Sequence, residues 1–219
     1  MERGTKLSVL DHGYIKLVDY MGSDEAVIES ARMSTGRGFK GWDKDARLLE
    51  YLYRHRHMTP FECGGELMVE AQAPIMVFRE WMRHRTFSFN ELSARYTQMP
   101  DTHYLPELER IQYQSTSNKQ GSSTSLPPEQ AASIALTLHG QQRSIYDSYG
   151  AWVHGGVAKE IARLNTPVSR YSRMRVKTDL RNWLAFLSLR MDAAAQWEIR
   201  QYANAVAEVV KALWPRTYA

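Results

Sequence analysis

Alternating apolar and polar residues predict strands in three parts of the chain. Residues 6–20 contain two short alternating runs separated by a turn signal at residues 11–13, so we expect a hairpin or two edge strands. Residues 65–73 alternate well enough for a strand, and so do residues 168–178, which would have one arginine-rich face. The chain is therefore expected to contain a β-sheet.

Apolar residues at helical spacing predict helices through most of the remaining chain. The predicted helices are a short one capped by Asp24, one opened by Asp43 and Asp45, a largely buried one that begins at Pro74, a long one over about 128–153, a short one at 159–163, one capped by Thr178 or Asp179 that runs to Met191, and one from Asp192 to Trp214. Strands mixed with long helices, without regular βαβ alternation, indicate an α+β fold rather than a doubly wound sheet.

A polar segment at residues 106–128 interrupts this pattern. It is rich in Ser, Thr and Gln and contains few apolar residues. We predict a mobile surface loop there. It is a plain linker unless it closes over a ligand.

Length and composition limit the class of protein. A chain of 219 residues with 43% hydrophobic and 24% charged residues is expected to form a single domain over residues 1–219, with a small second lobe as the alternative. No apolar run approaches the roughly 20 residues that cross a bilayer, and the N-terminus lacks the apolar core of a signal peptide, so we expect a cytoplasmic protein without a membrane partner. The sequence contains no zinc-ligand spacing, P-loop or GxGxxG motif, and no metal site is predicted.

One cysteine and a positive net charge narrow the chemistry. The single cysteine, Cys63, excludes an intrachain disulfide and fits a reducing compartment. No base is placed near it in the sequence, so we predict a buried packing residue rather than a nucleophile. The net charge of +4 comes mainly from arginine, which suits anionic ligands such as nucleotides and, less specifically, nucleic acid.

The stretch at residues 83–95 is the most informative one. It places seven polar side chains close together, namely Arg83, His84, Arg85, Asn90, Glu91, Ser93 and Arg95. Every long cation there is arginine, whose rigid fork of N–H donors suits phosphate groups and carbonyl pairs. The alternative is that Arg83 and Arg85 only complement the carbonyl end of a helix. That would leave the other polar groups unexplained, so we predict an anion-binding site presented by a buried helix.

Arg83-His84-Arg85, seven further residues and then Ser93 resemble the signature of the flavin-dependent thymidylate synthases, which make dTMP without the cysteine nucleophile of other thymidylate synthases. Other blocks resemble the family in the same order: ARMS at 31–34, HMTPFE at 57–62, KEIAR at 159–163 and LRMDAAAQWEIRQYA from Leu189. The resemblance thus extends along nearly the whole chain.

The resemblance implies both a fold and a reaction. The implied fold is an antiparallel sheet flanked by long helices, without a Rossmann domain, assembled as a homotetramer with active sites at subunit interfaces. The implied reaction is the reductive methylation of dUMP to dTMP, with 5,10-methylenetetrahydrofolate as the carbon donor and tetrahydrofolate as a product. Tightly bound FAD, reduced by NADPH, would supply the hydride. An arginine-rich site without a thiol is consistent with this route.

The resemblance also implies roles for individual residues. FAD binding is implied for Ser34, His57, Thr59, Arg83, His84, Arg85, Asn90, Glu91, Asp179, Arg181 and Ala185. Binding of dUMP is implied for Glu80, Arg83, Glu91, Ser93, Ala94, Arg95, Arg163 and Arg190. Arg190 is the catalytic candidate, because it matches the arginine thought to ionise the uracil ring at N3.

Four residues depart from the family pattern. Glu80 stands where relatives often have Gln, and its carboxylate could accept a ribose hydroxyl but would repel phosphate. Asp179 stands where Asn is common, and a carboxylate near adenine or pyrophosphate would act differently. Ala185 and Ala194 stand where Asn and His occur, and each removes a possible hydrogen bond to the flavin.

Alternatives remain for Ser93, for the pair of Glu160 and Arg163, and for the chain as a whole. Ser93 could be a nucleophile, but no base lies beside it in the sequence, so we expect it to position the substrate. Glu160 and Arg163 lie three apart on one helical face and could form an ordinary surface ion pair. The whole chain could instead be an arginine-rich nucleic-acid-binding module or a helical structural or regulatory protein without catalysis. Its aromatic residues, however, lie mainly at helical core spacing and not between the cations.

Overall fold

The predicted N-terminal hairpin is the edge of a five-stranded antiparallel sheet. The computed structural model describes residues 1–219. The main sheet contains β1 (Lys6–Val9), β2 (Gly13–Gly22), β3 (Gly65–Pro74), β4 (Ser88–Glu91) and β7 (Tyr171–Asp179), whereas β5 (Gln112–Gln114) and β6 (Ser122–Ser125) form a separate hairpin. The order in the main sheet is β1-β2-β3-β7-β4, and all neighbouring strands are antiparallel.

The two faces of the sheet differ because side chains alternate along each strand. On β3, Leu67, Val69 and Ala71 are fully buried in the core. On the opposite face Glu66 of β3 pairs with Lys177 of β7, with 2.9 Å between Oε2 and Nζ. One face therefore builds the hydrophobic core, and the other remains charged and partly exposed.

The helices account for most of the remaining chain. They are α1 (Asp24–Arg32), α2 (Trp42–Arg54), α3 (Thr59–Cys63), α4 (Ile75–Trp81), α5 (Pro128–His154), α6 (Lys159–Ala162), α7 (Leu180–Arg190), α8 (Trp197–Leu213) and α9 (Pro215–Tyr218). Helix α8 buries an apolar stripe at helical spacing against the sheet, formed by Ile199, Tyr202, Val206 and Val210. None of these helices is long and apolar enough to span a bilayer.

An aromatic cluster joins α4 to α7. The indole of Trp81 stacks on Phe186 with 4.9 Å between ring centroids and meets Trp183 edge-on at 6.2 Å. The indole N–H of Trp183 donates to the carbonyl of Leu67 at 3.0 Å, which ties α7 to β3. These contacts fix the two helices relative to the sheet and so position the C-terminal ends of α4 and α7.

The predicted cap of the first helix is wrong. Ser23 caps α1, because its hydroxyl accepts the N–H of Ala26 at 3.2 Å. Asp24 is buried, and its carboxylate accepts the N–H groups of Arg216 at 2.9 Å and Thr217 at 3.0 Å. The carboxylate thus satisfies the first turn of the C-terminal helix α9, a long-range contact that no local pattern reveals.

Two further local predictions are wrong. Asp192 does not cap α8: its carboxylate accepts the N–H of Ala194 at 2.7 Å in a turn, and the helix begins at Trp197. Cys63, predicted to be buried, is exposed at the end of α3. The prediction that Thr178 or Asp179 caps α7 is confirmed for Asp179, whose carboxylate accepts the N–H of Asn182 at 2.9 Å.

The segment at 106–128 is more ordered than a plain loop. It contains a short 3-10 turn at Leu108–Arg110 and the β5–β6 hairpin. Its mobility stays a prediction. Strand β4 was not predicted at all, because it has only four residues and is largely exposed, so no alternation of buried positions marks it.

Candidate active site

The Arg-His-Arg motif lies in the turn that follows α4. The N–H of His84 donates to the carbonyl of Trp81 at 3.0 Å, which continues the chain out of the helix in a tight turn. Arg83 and Arg85 point away from the core and are exposed, whereas His84 is half-buried and meets the ring of Phe186 edge-on at 5.0 Å. The buried aromatic cluster therefore orients His84, and the two arginines are left free for a ligand.

Arg190, at the last position of α7, lies against α4 and this turn. Its Nε donates to Nε2 of His84 at 2.9 Å. Its Nη1 donates to Oε2 of Glu80 at 2.9 Å, and its Nη2 donates to the carbonyl oxygen of Glu80, also at 2.9 Å. Only 18% of the Arg190 side chain is exposed, so the guanidinium is held on most sides by protein. The structure thus places three predicted site residues in direct contact.

His84 is neutral in this arrangement. Burial, followed by the positive charge of Arg190, lowers the pKa of His84 to about 4, and the carboxylate of Glu80 opposes this only in part. Since Nε2 accepts a hydrogen bond from an arginine, the ring proton must be on Nδ1. His84 therefore has one N–H donor, on Nδ1, to offer a ligand.

A second group of predicted residues lines one cavity of about 330 Å³. Glu91, Ser93, Ala94 and Arg163 all contribute to its wall. The main-chain N–H groups of Ser93 and Ala94 make no hydrogen bond within the chain. A half-buried arginine beside two free N–H groups and a hydroxyl is a suitable donor set for a phosphate.

The sequence alternative of a Glu160–Arg163 ion pair is wrong. Glu160 pairs instead with Arg95, with 3.4 Å between its carboxylate and Nε, and both side chains are more than half exposed. Arg163 is therefore free to face the cavity. Arg95 is absent from the cavity wall, so its predicted contact with a phosphate would require it to leave Glu160.

Ser93 has no activating base in the structure. Its hydroxyl accepts the N–H of Arg95 at 3.3 Å, and no histidine or carboxylate is hydrogen-bonded to it. A serine hydroxyl without a neighbouring base is a poor nucleophile. The geometry thus supports the predicted positioning role.

Thr59, Arg181 and Ala185, which are also predicted to bind FAD, lie on α3 and α7, and Asp179 caps α7. Arg181 at the start of α7 pairs with Glu62 of α3, which brings Thr59 and Arg181 onto neighbouring elements. Both oxygens of Asp179 are engaged with Asn182, at 2.9 Å to its main-chain N–H and 2.7 Å to its side-chain amide. Along α7, Arg181 and Arg190 are about 14 Å apart at 1.5 Å per residue. Arg181, predicted for FAD, and Arg190, predicted for dUMP, therefore lie at opposite ends of α7.

Three predicted FAD residues lie at the surface of the chain. Ser34, His57 and Ala185 are exposed. The hydroxyl of Ser34 donates to the carbonyl of Ala31 at 3.1 Å, and the ring of His57 lies 5.9 Å from that of Tyr51. A larger cavity of about 570 Å³ between α2, α7 and the C-terminus contains none of the predicted residues.

Sequence reasoning missed one residue and one contact at the site. Tyr171 lines the 330 Å³ cavity, and burial raises the pKa of its hydroxyl, which donates to Asp11. Its only sequence signal was a position in an arginine-rich strand. The role of Glu80 as the partner of Arg190 was also missed, because the two residues are 110 positions apart.

The donor set fits a bound flavin dinucleotide. Arg83 and Arg85 are exposed, and the ion pairs of this region involve Arg190 and Arg95 instead of them. Two unpaired guanidinium groups beside the Nδ1–H of His84 offer cationic and neutral donors to a pyrophosphate and a heterocycle.

Comparisons with known proteins identify the family to which the chain is similar. Residues 16–216 match the family described as thymidylate synthase complementing protein. The flavin-dependent thymidylate synthase of Anaplasma marginale is 44% identical over 214 residues, which cover 98% of this chain and 73% of that protein. A flavin-dependent thymidylate synthase of Thermus thermophilus is 44% identical over 219 residues, which cover 100% of this chain and 79% of that protein.

A comparison of the fold with solved structures finds a similar nucleotide methylase. The UMP/dUMP methylase PolB from Streptomyces cacaoi, solved with 5-Br dUMP bound, superposes with a TM-score of 0.85 at 31% identity, and covers 97% of this chain and 95% of that chain. The predicted α+β fold is confirmed, and the nucleic-acid-binding alternative finds no support. The chain therefore belongs to the flavin-dependent thymidylate synthase family.

Proposed function

We propose that this chain catalyses the flavin-dependent reductive methylation of dUMP to dTMP. The observation that carries the proposal is the position of Arg190 in a chain of this family. Its guanidinium is mostly buried and is fixed between Glu80 and His84, beside the turn of Arg83–Arg85 that is predicted to bind the flavin. Its carbon donor would be 5,10-methylenetetrahydrofolate, its reductant NADPH and its released cofactor tetrahydrofolate. A methyltransferase of this kind needs an activated uracil ring and no protein thiol.

The phosphate of dUMP would lie in the 330 Å³ cavity. Arg163 would supply the charge, and the N–H groups of Ser93 and Ala94 would supply directed hydrogen bonds. Glu91 lines the same cavity and is kept from the phosphate by its own charge, which favours a contact with the sugar. This placement fixes one end of the nucleotide and leaves the base to reach Arg190.

Arg190 would stabilise the uracil ring in its ionised form. A guanidinium held in a mostly desolvated site interacts more strongly with a developing anion than one in water does. A ring deprotonated at N3 is a better carbon nucleophile at C5, and no covalent adduct at C6 is then required. Cys63 lies on α3, outside the 330 Å³ cavity, and has no place in this route.

A bound FAD supplies the two-electron chemistry of the reduction. Arg83 and Arg85 would hold its pyrophosphate, and His84 would donate from Nδ1 to the flavin. The other residues that would contact FAD are Ser34, His57, Thr59, Asn90, Glu91, Asp179, Arg181 and Ala185. Asp179 would act mainly as the α7 cap, since both its oxygens are already engaged.

A homotetramer with active sites at subunit interfaces accounts for the spread of these residues. Helix α5 has 27 residues but buries only Ala131, Gln142 and Tyr149 within one chain. It exposes Leu136 at 74% and Trp152 at 45%. A second subunit would cover this apolar surface. It would also bring the exposed Ser34 and His57 of one chain towards the Arg190 site of another.

The proposed activity is tested by following release of the uracil C5 hydrogen from labelled dUMP in the presence of 5,10-methylenetetrahydrofolate, NADPH and FAD. The wild type should release the label, and Arg190→Ala should abolish release while flavin absorbance stays with the protein. Arg3→Ala, which removes an arginine with 59% of its side chain exposed, serves as the matched control. Formation of dTMP by protein stripped of all flavin would overturn the proposal.

A further inference from the structure

The guanidinium of Arg190 uses some of its N–H donors within the chain and leaves others for a ligand. An arginine has five N–H donors. Three of them are used within the chain, one from Nε to His84 and one from each terminal nitrogen to Glu80. One N–H on Nη1 and one on Nη2 are left over. Two donors from the same fork suit a planar acceptor pair such as N3 and a carbonyl oxygen of a uracil ring that has lost its N3 proton.

Glu80 holds Arg190 through two different atoms. Its carboxylate oxygen and its main-chain carbonyl each accept from a different terminal nitrogen at 2.9 Å. The main-chain contact belongs to the end of α4, which is anchored by the buried Trp81. Only the carboxylate contact depends on the identity of residue 80. The main-chain carbonyl of residue 80 therefore accepts one hydrogen bond from Arg190 whatever the side chain is. The Glu80 carboxylate adds a second hydrogen bond, which orients the guanidinium, and a negative charge.

The charge of Glu80 has an effect of its own. A carboxylate 2.9 Å from Nη1 offsets part of the positive charge that Arg190 presents to a ligand. The titratable groups in contact with Arg190 are Glu80 from α4 and the neutral His84 from the following turn. No second cation compensates for the carboxylate within this contact set. A neutral amide at position 80 would leave the guanidinium with its full charge.

We propose that Glu80 is a positioning residue for Arg190, which orients the guanidinium and lowers its effective charge, and that Glu80 does not contact the ribose of the substrate. This inference rests on the proposed function, because it assigns a role relative to uracil ionisation. It replaces the sequence prediction that Glu80 accepts a ribose hydroxyl.

Two variants separate orientation from charge. Glu80→Gln keeps an acceptor oxygen for Nη1 and removes only the charge. Glu80→Ala removes both. The bound pyrimidine provides a readout that does not need turnover: the ultraviolet spectrum of protein-bound 5-fluoro-dUMP, titrated with pH, reports the pKa of its N3–H.

Glu80→Gln should lower the pKa of the bound pyrimidine by about one unit, because an unshielded neighbouring cation favours the anion. Its kcat should stay within about tenfold of the wild type, with the pH profile displaced to lower pH by the same amount. Glu80→Ala should lower kcat by about 100-fold, since a guanidinium misplaced by about 1 Å loses the productive geometry. The KM for dUMP should change by less than about threefold in both variants.

A double variant and the binding data complete the test. In the Arg190→Ala background, Glu80→Ala should not shift the pKa of bound 5-fluoro-dUMP any further, because Glu80 acts through Arg190. A ribose contact would instead raise the KM for dUMP in Glu80→Ala and leave kcat and the pyrimidine pKa unchanged in both variants, and that result would overturn the inference. A loss of flavin or of thermal stability in Glu80→Gln would also overturn it.

The same experiments separate this inference from the proposed function. Wild-type protein that neither binds 5-fluoro-dUMP nor releases the C5 hydrogen contradicts the proposed function. Wild-type protein that does both, combined with an unchanged pyrimidine pKa in Glu80→Gln and an unchanged kcat in Glu80→Ala, contradicts the role of Glu80 alone.

Discussion

Arg110 and Glu198 form a buried ion pair that ties the segment before the β5–β6 hairpin to the first turn of α8. Nε and Nη2 of Arg110 donate to the two carboxylate oxygens of Glu198 at 2.9 and 3.3 Å. Only 3% of Glu198 is exposed, and Tyr104 and Gln196 donate to the same carboxylate. The pair therefore anchors a polar surface segment to the hydrophobic core.

Arg110→Ala should lower the free energy of unfolding by about 3–5 kcal/mol, because it leaves the buried Glu198 carboxylate without its charge partner. Urea denaturation of the purified protein measures the change. Arg143→Ala is the control, since Arg143 pairs with Asp147 on α5 with 64% of its side chain exposed, and should cost less than about 1 kcal/mol. Equal effects of the two changes would contradict the proposed anchor.

Arg163→Ala should raise the KM for dUMP by about 10- to 100-fold, because a charge-assisted hydrogen bond contributes about 1.5–3 kcal/mol. Steady-state kinetics with saturating folate and NADPH gives the value. The unphosphorylated nucleoside deoxyuridine is the control substrate. Its kcat/KM should be lower than that of dUMP and nearly the same for wild type and variant. A similar loss for both substrates would show that Arg163 does not bind the phosphate.

The pH dependence of stability should contain a contribution from His84. The folded pKa is about 4 and the ordinary value is 6.5, so between these values the unfolded chain binds a proton that the folded chain does not. The free energy of unfolding should therefore fall as the pH drops from 6.5 towards 4. His84→Gln lacks this contribution, and urea denaturation across that range should show a shallower slope for the variant. Parallel curves would contradict a depressed pKa.

The charge of Arg190 should be visible in the titration of His84. In Arg190→Ala the pKa of His84 should rise part of the way towards 6.5, because one cause of its depression is removed while burial remains. Nuclear magnetic resonance of the imidazole nitrogens measures the shift and the tautomer. We also expect the Nδ1–H tautomer to be less favoured in the variant, because Nε2 no longer accepts a hydrogen bond from Arg190. An unchanged pKa would contradict an effect of the Arg190 charge on His84.

Cys63→Ala should leave turnover unchanged and change the free energy of unfolding by no more than about 0.5 kcal/mol, because the side chain is exposed and makes no catalytic contact. The thiol of the wild type should react with a thiol reagent while the protein remains folded and active. Loss of C5 hydrogen release in this variant would show that sulfur, and not Arg190, activates the pyrimidine.

Local patterns were sufficient for much of the secondary structure. Strands with one buried face, such as β2, β3 and β7, and helices with an apolar stripe, such as α2 and α8, carry their period in the residues themselves. Strand β4 and the hairpin within 106–128 were not found, because short exposed elements bury too little to impose a period. The cap of α1 was misplaced by one residue, since Ser23 and Asp24 are both good capping residues.

The sequence by itself determined the residue types of the site: a run of arginine and histidine after a buried helix, a serine without a base, and the family these blocks resemble. Only the tertiary structure decided their partners. In the structure Arg190 contacts Glu80 and His84, and Glu160 forms an ion pair with Arg95 instead of Arg163. Cys63 lies on the surface. The physical reason is range: periodicity and capping depend on residues a few positions apart, whereas hydrogen bonds between α4 and α7 depend on how the sheet and the aromatic cluster bring distant helix ends together.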